Sequence, residues 1–270
     1  MKILVSNDDG IYARGLWALV KELKGVGEVI VVAPDRQQSA VGTSVTLHYP
    51  LRVKKAKSRL SGVEAYSVEG TPADSVILGL QMLAKDNIDL VISGINEGLN
   101  LGNDVFISGT VGAALQGYFY DIPAIAISAA LVENKVRFDT AARIGALLAK
   151  KVEQKDLLPG ILLNVNLPHL PLRKIQGIEA TRLGRRSYRD EIRKGNDGRR
   201  DYYWIVRSEP ERGEEKGTDI WAVRHDKISI TMLRGNLANS SQMSHLESLC
   251  SSLFAELGYA GSKFRGSRFT

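Results

Sequence analysis

Four short stretches of this 270-residue chain concentrate side chains able to do chemistry. The first, Ser6-Asn7-Asp8-Asp9-Gly10, sets two carboxylates side by side. Adjacent carboxylates repel unless a cation neutralises them. Two acids followed by a turn-forming glycine suit a hard ion such as Mg²⁺ or Mn²⁺, although the same residues also make an ordinary turn. The second, Pro34-Asp35-Arg36-Gln37-Gln38-Ser39-Ala40-Val41-Gly42, offers a hydroxyl, amides and a cation, and by itself is an ordinary loop. The third runs from Ser93 through Asn96 to Asp104 and is dense in Gly and Asn. Glycine lets a backbone approach a ligand closely, and Asn96 can lend a neutral oxygen to a metal; a plain long loop is the other reading. In the fourth, Ser108-Gly109-Thr110-Val111-Gly112-Ala113-Ala114, a small-residue turn opens a helix. Unpaired N–H groups and the helix dipole at such a start favour phosphate; a simple Ser or Thr cap explains the same residues. The Gly-Lys-Ser/Thr ending of a Walker loop is absent. Taken together, the stretches outline a hydrolytic site, in which a metal lowers the pKa of a water and neutralises phosphoryl charge. His48, His169, His225 and His245 are scattered and form no triad signature.

These stretches act together only if the fold gathers them. Apolar strands are expected at 3–6, 28–33, 88–93, 124–128 and 161–166. Helices are expected at 15–23, 74–83, 110–119 and 138–152. Continuous apolar strands alternating with helices predict a three-layer α/β/α, Rossmann-like, mainly parallel sheet. Ligands of such sheets collect at the carboxyl ends of the strands, where all four stretches fall. Residues 44–53 and 65–68 read as an excursion of extended strands. After Pro168 the pattern becomes β-rich, with strands at 175–181, 202–207 and 227–233, a short helix at 219–223 and a terminal helix at 242–257. Residues 1–168 therefore read as the α/β catalytic core, and 169–270 as a β-rich C-terminal extension with a terminal helix.

Hydrophobic residues make up 44% of the chain and charged residues 24%, as in a globular protein. Cys250, the single cysteine, cannot form an internal bridge and lies in an apolar-periodic stretch, which reads as packing. The N-terminus opens directly into a strand and lacks a secretory signal, and no apolar run approaches the ~20 residues of a membrane span. A cytoplasmic protein without a membrane partner is expected. The net charge is +6, and residues 173–212 hold twelve Lys/Arg against seven Asp/Glu. That segment either attracts a polyanion or is a solvated basic loop; no nucleic-acid-binding module accompanies it, so no specific nucleic-acid partner is expected.

In these residues the sequence resembles the SurE family, stationary-phase survival proteins that act as 5′/3′-nucleotidases. The resemblance runs from Ile3-Leu4-Val5-Ser6-Asn7-Asp8-Asp9-Gly10 through Ala33-Pro34-Asp35-Arg36-Gln37-Gln38-Ser39 and Gly70-Thr71-Pro72-Ala73-Asp74. It continues through Ser93-Gly94-Ile95-Asn96-Glu97-Gly98-Leu99-Asn100-Leu101-Gly102 to Ser108-Gly109-Thr110-Val111-Gly112-Ala113-Ala114. It implies one divalent ion per subunit (Mg²⁺ or Mn²⁺) on Asp8, Asp9, Ser39 and Asn96, with Asp8, Asp9 and Asn96 catalytic. It places the substrate phosphate at Ser108, Gly109 and Thr110. The implied substrates are nucleoside 5′- and 3′-monophosphates, with polyphosphate as a further one. The implied assembly is a homodimer or homotetramer that exchanges C-terminal elements. The sequence departs from the family at Met232, where Pro is usual before Leu233. Two other classes compete. A haloacid-dehalogenase-like phosphatase would need a second Asp where Gly10 stands, and a non-catalytic nucleotide-binding sensor would keep the cradle without turnover.

Overall fold

The computed structural model describes residues 1–84, 87–157, 160–185, 190–207, 215–237 and 243–256. A nine-stranded sheet forms its centre. Strand β1 (Lys2–Ser6) leads into helix α1 (Arg14–Leu23) and β2 (Glu28–Pro34). Then come β3 (Val53–Lys55), β4 (Glu64–Val68), α2 (Pro72–Leu78), β5 (Leu90–Glu97), α3 (Gly109–Phe119) and β6 (Ala124–Ala129). A small hairpin, β7 (Leu131–Val132) and β8 (Lys135–Val136), precedes α4 (Phe138–Glu153) and β9 (Leu162–Leu167). The later elements are β10 (Ile178–Thr181), β11 (Asp190–Asn196), β12 (Asp201–Arg207), α5 (Asp219–Arg224), β13 (Ile228–Leu233) and α6 (Met243–Glu256).

The sheet order is β10-β13-β9-β6-β5-β1-β2-β4-β3. Its middle, from β9 through β6, β5, β1 and β2 to β4, is parallel throughout. Burial on both faces explains the unbroken apolar strands. Ile3 and Val5 join α1 and α4 in one core layer, while Leu4 faces the other way into the layer with Val76 of α2 and Val111 of α3. This is the α/β/α sandwich expected from the sequence. The strands β10 and β13, beyond Pro168, continue the same sheet, β13 running antiparallel to β9. By its internal contacts the chain forms two compact units, Met1–Leu233 and Arg234–Thr270.

Two expectations need correction. Residues 44–52 are not strand; only Val53–Lys55 pairs, with β4. The backbone there is satisfied from the side: Thr46 donates both its N–H (2.8 Å) and its hydroxyl (2.6 Å) to Asp74, and Thr71 donates its hydroxyl to the Ser44 carbonyl (2.7 Å). Asp74 and Thr71 also close a capping box at the start of α2, so the apparent strand is a strap over a helix N-terminus. The basic segment 173–212 is not simply a loop. Its described part carries a short helical turn, β10 and a β11–β12 hairpin in register from Asp190↔Arg207 to Asn196↔Asp201; Arg186, Arg189 and Arg212 lie outside the described residues.

A buried carboxylate ties the later strands to the core. Asp219, fully buried at the start of α5, accepts from Gly102 N (2.7 Å), Gly184 N (2.8 Å) and Ile220 N (2.9 Å). Burial raises its pKa, and these N–H groups oppose the rise. Asp219→Ala leaves those donors unpaired, so urea unfolding should show a loss of about 2–4 kcal/mol. A loss below about 0.5 kcal/mol, the size of an ordinary surface effect, would show that the carboxylate does not hold the loop.

Candidate active site

Asp8 lies where β1 ends, buried, and the other three stretches converge on it or its neighbour. Thr110, in the first turn of α3, donates its hydroxyl to Asp8 Oδ1 at 2.5 Å. The loop after β2 donates Gln38 N to the Asp8 carbonyl at 2.7 Å. The end of β5 donates Glu97 N to Asp9 Oδ2 at 3.3 Å. Gly42 N also bonds the Ile107 carbonyl (2.9 Å), joining the second loop to the approach to α3. The chain can turn sharply after the carboxylates because Gly10 sits at φ +95° and its N–H bonds Asn7 Oδ1 (3.2 Å), while Asn7 returns its amide to the Gly10 carbonyl (3.1 Å). Gly109 is required for another reason: a Cβ there would stand 2.8 Å from Asp8 Cβ and 3.1 Å from the Gln38 carbonyl.

Asp8, Asp9, Ser39, Asn96 and Ser108 line one cleft of about 230 Å³. Its donor set fits a hard divalent ion. Asn96 gives its Nδ2 to the Gly98 carbonyl (3.0 Å), which leaves Oδ1 as its ligating end. Gln37 Nε2 holds Ser39 Oγ at 2.9 Å. Among the described residues no group of three or more His, Cys, Asp or Glu forms a cage; two carboxylates joined by neutral oxygens match Mg²⁺ or Mn²⁺ better than a soft metal. Ser108 caps α3, its Oγ accepting from Val111 N (3.1 Å), so its own proton stays available to a ligand oxygen. Thr110 is fully buried and spends its hydroxyl on Asp8, so its side chain positions the carboxylate.

The electrostatics point the same way. Burial pushes the Asp8 carboxyl above its ordinary range, and the Thr110 hydroxyl opposes that. Burial first, then the Asp8 charge, raises Asp9 to about 7. Without a cation the pair resists full ionisation at neutral pH.

Several residues of the cleft carry no signal of their own in the sequence. Gln37, Asp104 and Ile107 line it from the segments after β2 and before α3, and Glu97 from the end of β5. Asn100 lines it too, clamped from behind: its N–H bonds Asn166 Oδ1 (2.8 Å), its Nδ2 bonds Ser128 Oγ (2.8 Å), and its carbonyl accepts from Asn164 (2.9 Å) and Asn166 (3.1 Å). The polar residues at 128, 164 and 166 in otherwise apolar strands were the available clue.

The raised Asp9 pKa has a thermodynamic sign. Asp9 binds a proton more tightly folded than unfolded, so its contribution favours folding below its unfolded pKa near 3.8 and is lost as pH rises through about 7. In EDTA, Asp9→Asn should have a higher Tm than wild type above pH 7, and the gap should close toward pH 4. Parallel Tm curves across that range would contradict the coupling.

The family model described as Survival protein SurE matches residues 3–190. A 5′-nucleotidase SurE of Dehalococcoides mccartyi (strain CBDB1) is 53% identical over 238 residues, covering 88% of this chain and 90% of that protein. The 5′-nucleotidase SurE of Geobacter sulfurreducens is 44% identical over 249 residues, with 92% and 93% covered. The crystal structure of the SurE protein from Aquifex aeolicus superposes with a TM-score of 0.79 at 40% identity, covering 92% of this chain and 99% of that one. With matches of this extent in sequence and in fold, the chain belongs to the SurE family.

Proposed function

We propose that the protein is a metal-dependent nucleotidase that releases phosphate from nucleoside 5′- and 3′-monophosphates and from short polyphosphate. The observation that carries this reading is the pair of carboxylates, buried Asp8 and half-buried Asp9, beside the start of α3. The names of the relatives, 5′-nucleotidases, support the same substrate class. Asp8 and Asp9, with Asn96 Oδ1 and Ser39 Oγ, would hold one Mg²⁺ or Mn²⁺ per subunit. When bound, such an ion supplies a water of lowered pKa and neutralises phosphoryl charge.

The chain's own groups do the rest. Ser108 Oγ–H and the N–H of Gly109 would receive phosphate oxygens, with the α3 dipole behind them. Thr110 holds Asp8 in one orientation, and Glu97 N does the same for Asp9. Gly109 keeps the helix start within reach of Asp8, since a side chain there would displace the carboxylate. A haloacid-dehalogenase-like mechanism lacks its second Asp, because Gly10 occupies that place at φ +95°. The exposed Ile192, Tyr203, Trp204 and Ile205 of the β11–β12 hairpin support assembly as a homodimer or homotetramer.

Phosphate release from a panel of nucleoside monophosphates should require Mn²⁺ or Mg²⁺ and stop in excess EDTA. Asp8→Asn should lower kcat by at least about 100-fold while the circular dichroism spectrum is kept. Gly109→Ala should lower kcat/KM by a similar order, through the displaced Asp8. Full turnover by a folded Asp8→Asn protein, or in EDTA, would remove the metal from the mechanism. Nucleotide binding without any phosphate release would mark a sensor.

A further inference from the structure

A second cavity, of about 370 Å³, adjoins the cleft, and Glu97 lines both. Its other walls include Arg14, Lys135, Arg137, Phe138 and His169. The fold builds these walls from separate elements. Arg14 opens α1 and lies over the Phe138 ring, 6.0 Å from its centroid. Lys135 is carried by the β7–β8 hairpin, whose turn residues Glu133 and Asn134 both take positive φ, at 48° and 61°. Arg137 occupies the N-cap of the 16-residue helix α4 and makes no side-chain cap bond, so the first N–H groups of that helix are left to other acceptors.

Among the described residues none of Arg14, Lys135 and Arg137 forms an ion pair, whereas exposed cations elsewhere, such as Lys54 and Lys151, do. Two carboxylates, Glu97 and Asp139, share the cavity with these three cations, and Asp139 lies in the first turn of α4, where the helix dipole already favours it. The balance is positive. An aromatic ring already covered by a guanidinium is a poor platform for a base, while unpaired cations around a helix start favour an anion.

We infer that this cavity is a subsite for a second phosphate group carried by the substrate beyond the one being cleaved. The inference rests on the nucleotidase reading, because the cavity counts as a subsite only if the neighbouring cleft holds the reacting phosphate. Glu97 makes the link: its backbone N–H holds Asp9 while the residue walls the second cavity. A substrate with one phosphate would use the cleft alone. A nucleoside 3′,5′-bisphosphate or a linear tripolyphosphate would reach both.

The test is the double variant Lys135→Gln, Arg137→Gln, which leaves all the proposed metal ligands and Ser108 in place. With Mn²⁺ present, kcat/KM is measured for a nucleoside 5′-monophosphate, a nucleoside 3′,5′-bisphosphate and tripolyphosphate. The expected result is a fall of about tenfold or more for one or both substrates with a second phosphate, and a change within about twofold for the monophosphate. Which of the two falls identifies the source of that phosphate. Equal changes for all three substrates, or none for any, would overturn the inference. A calorimetric titration of tripolyphosphate in EDTA separates failure of the subsite from failure of the nucleotidase reading. If wild type cleaves nothing, about tenfold weaker tripolyphosphate binding by the variant still supports an anion site, and unchanged binding overturns it.

Discussion

The structure turns on two neighbouring carboxylates placed where water cannot fully solvate them. Burying one carboxylate is costly, and setting a second, half-buried one beside it adds their mutual repulsion. The chain meets this with fixed dipoles: the Thr110 hydroxyl on Asp8 and the Glu97 amide on Asp9. Those contacts do not restore ordinary acidity, since Asp9 stays near 7. An arrangement so unfavourable when empty of positive charge is favourable once a divalent cation enters it. The surrounding loops are then best understood as the means of holding that tension in place.

That explains why distant parts of the chain meet here. Thr110 is 102 positions from Asp8, and Glu97 is 88 from Asp9. The parallel sheet makes such meetings ordinary, because β1, β2 and β5 end on the same side and deliver their loops to one edge. Further support comes from residues that never reach the cleft. Asn164 and Asn166 of β9 and Ser128 of β6 grip Asn100, and Asp219 of α5 grips Gly102. The loop between β5 and α3 is thereby fixed at its middle by strands on one side and by the later part of the chain on the other. A hydrolytic site needs its groups held to a fraction of an ångström, and buried polar bonds to backbone supply that stiffness.

Much of this was legible in the residues. Unbroken apolar runs such as Ala124–Ala129 gave away strands buried on both faces, and Asp8-Asp9 just past a strand end marked the place where the loops converge. What escaped had physical reasons. Residues 44–52 alternate like a strand, yet their backbone bonds go to Asp74 and Thr71, a tertiary arrangement that no local pattern encodes. The strand β11 is charged along much of its length and exists as a partner of β12. Thr110 reads as a phosphate ligand from its place in the turn, but only the placing of the start of α3 beside Asp8 shows its hydroxyl committed to that carboxylate. Gln37 enters the cleft through loop closure and Glu97 as the last residue of β5, and neither carries a signature of spacing.

Whether Asp8 and Asp9 are held together to be neutralised by one divalent ion can be read from the protons released on metal binding. Calorimetric titration of Mn²⁺ into the metal-free protein, in two buffers of different ionisation enthalpy, counts those protons. One Mn²⁺ is expected to bind per chain. Proton release should be appreciable at about pH 6, below the raised pKa of Asp9 near 7, and small at about pH 8.5. Failure of the folded protein to bind Mn²⁺, or binding with no proton release at about pH 6, would contradict neutralisation by one ion.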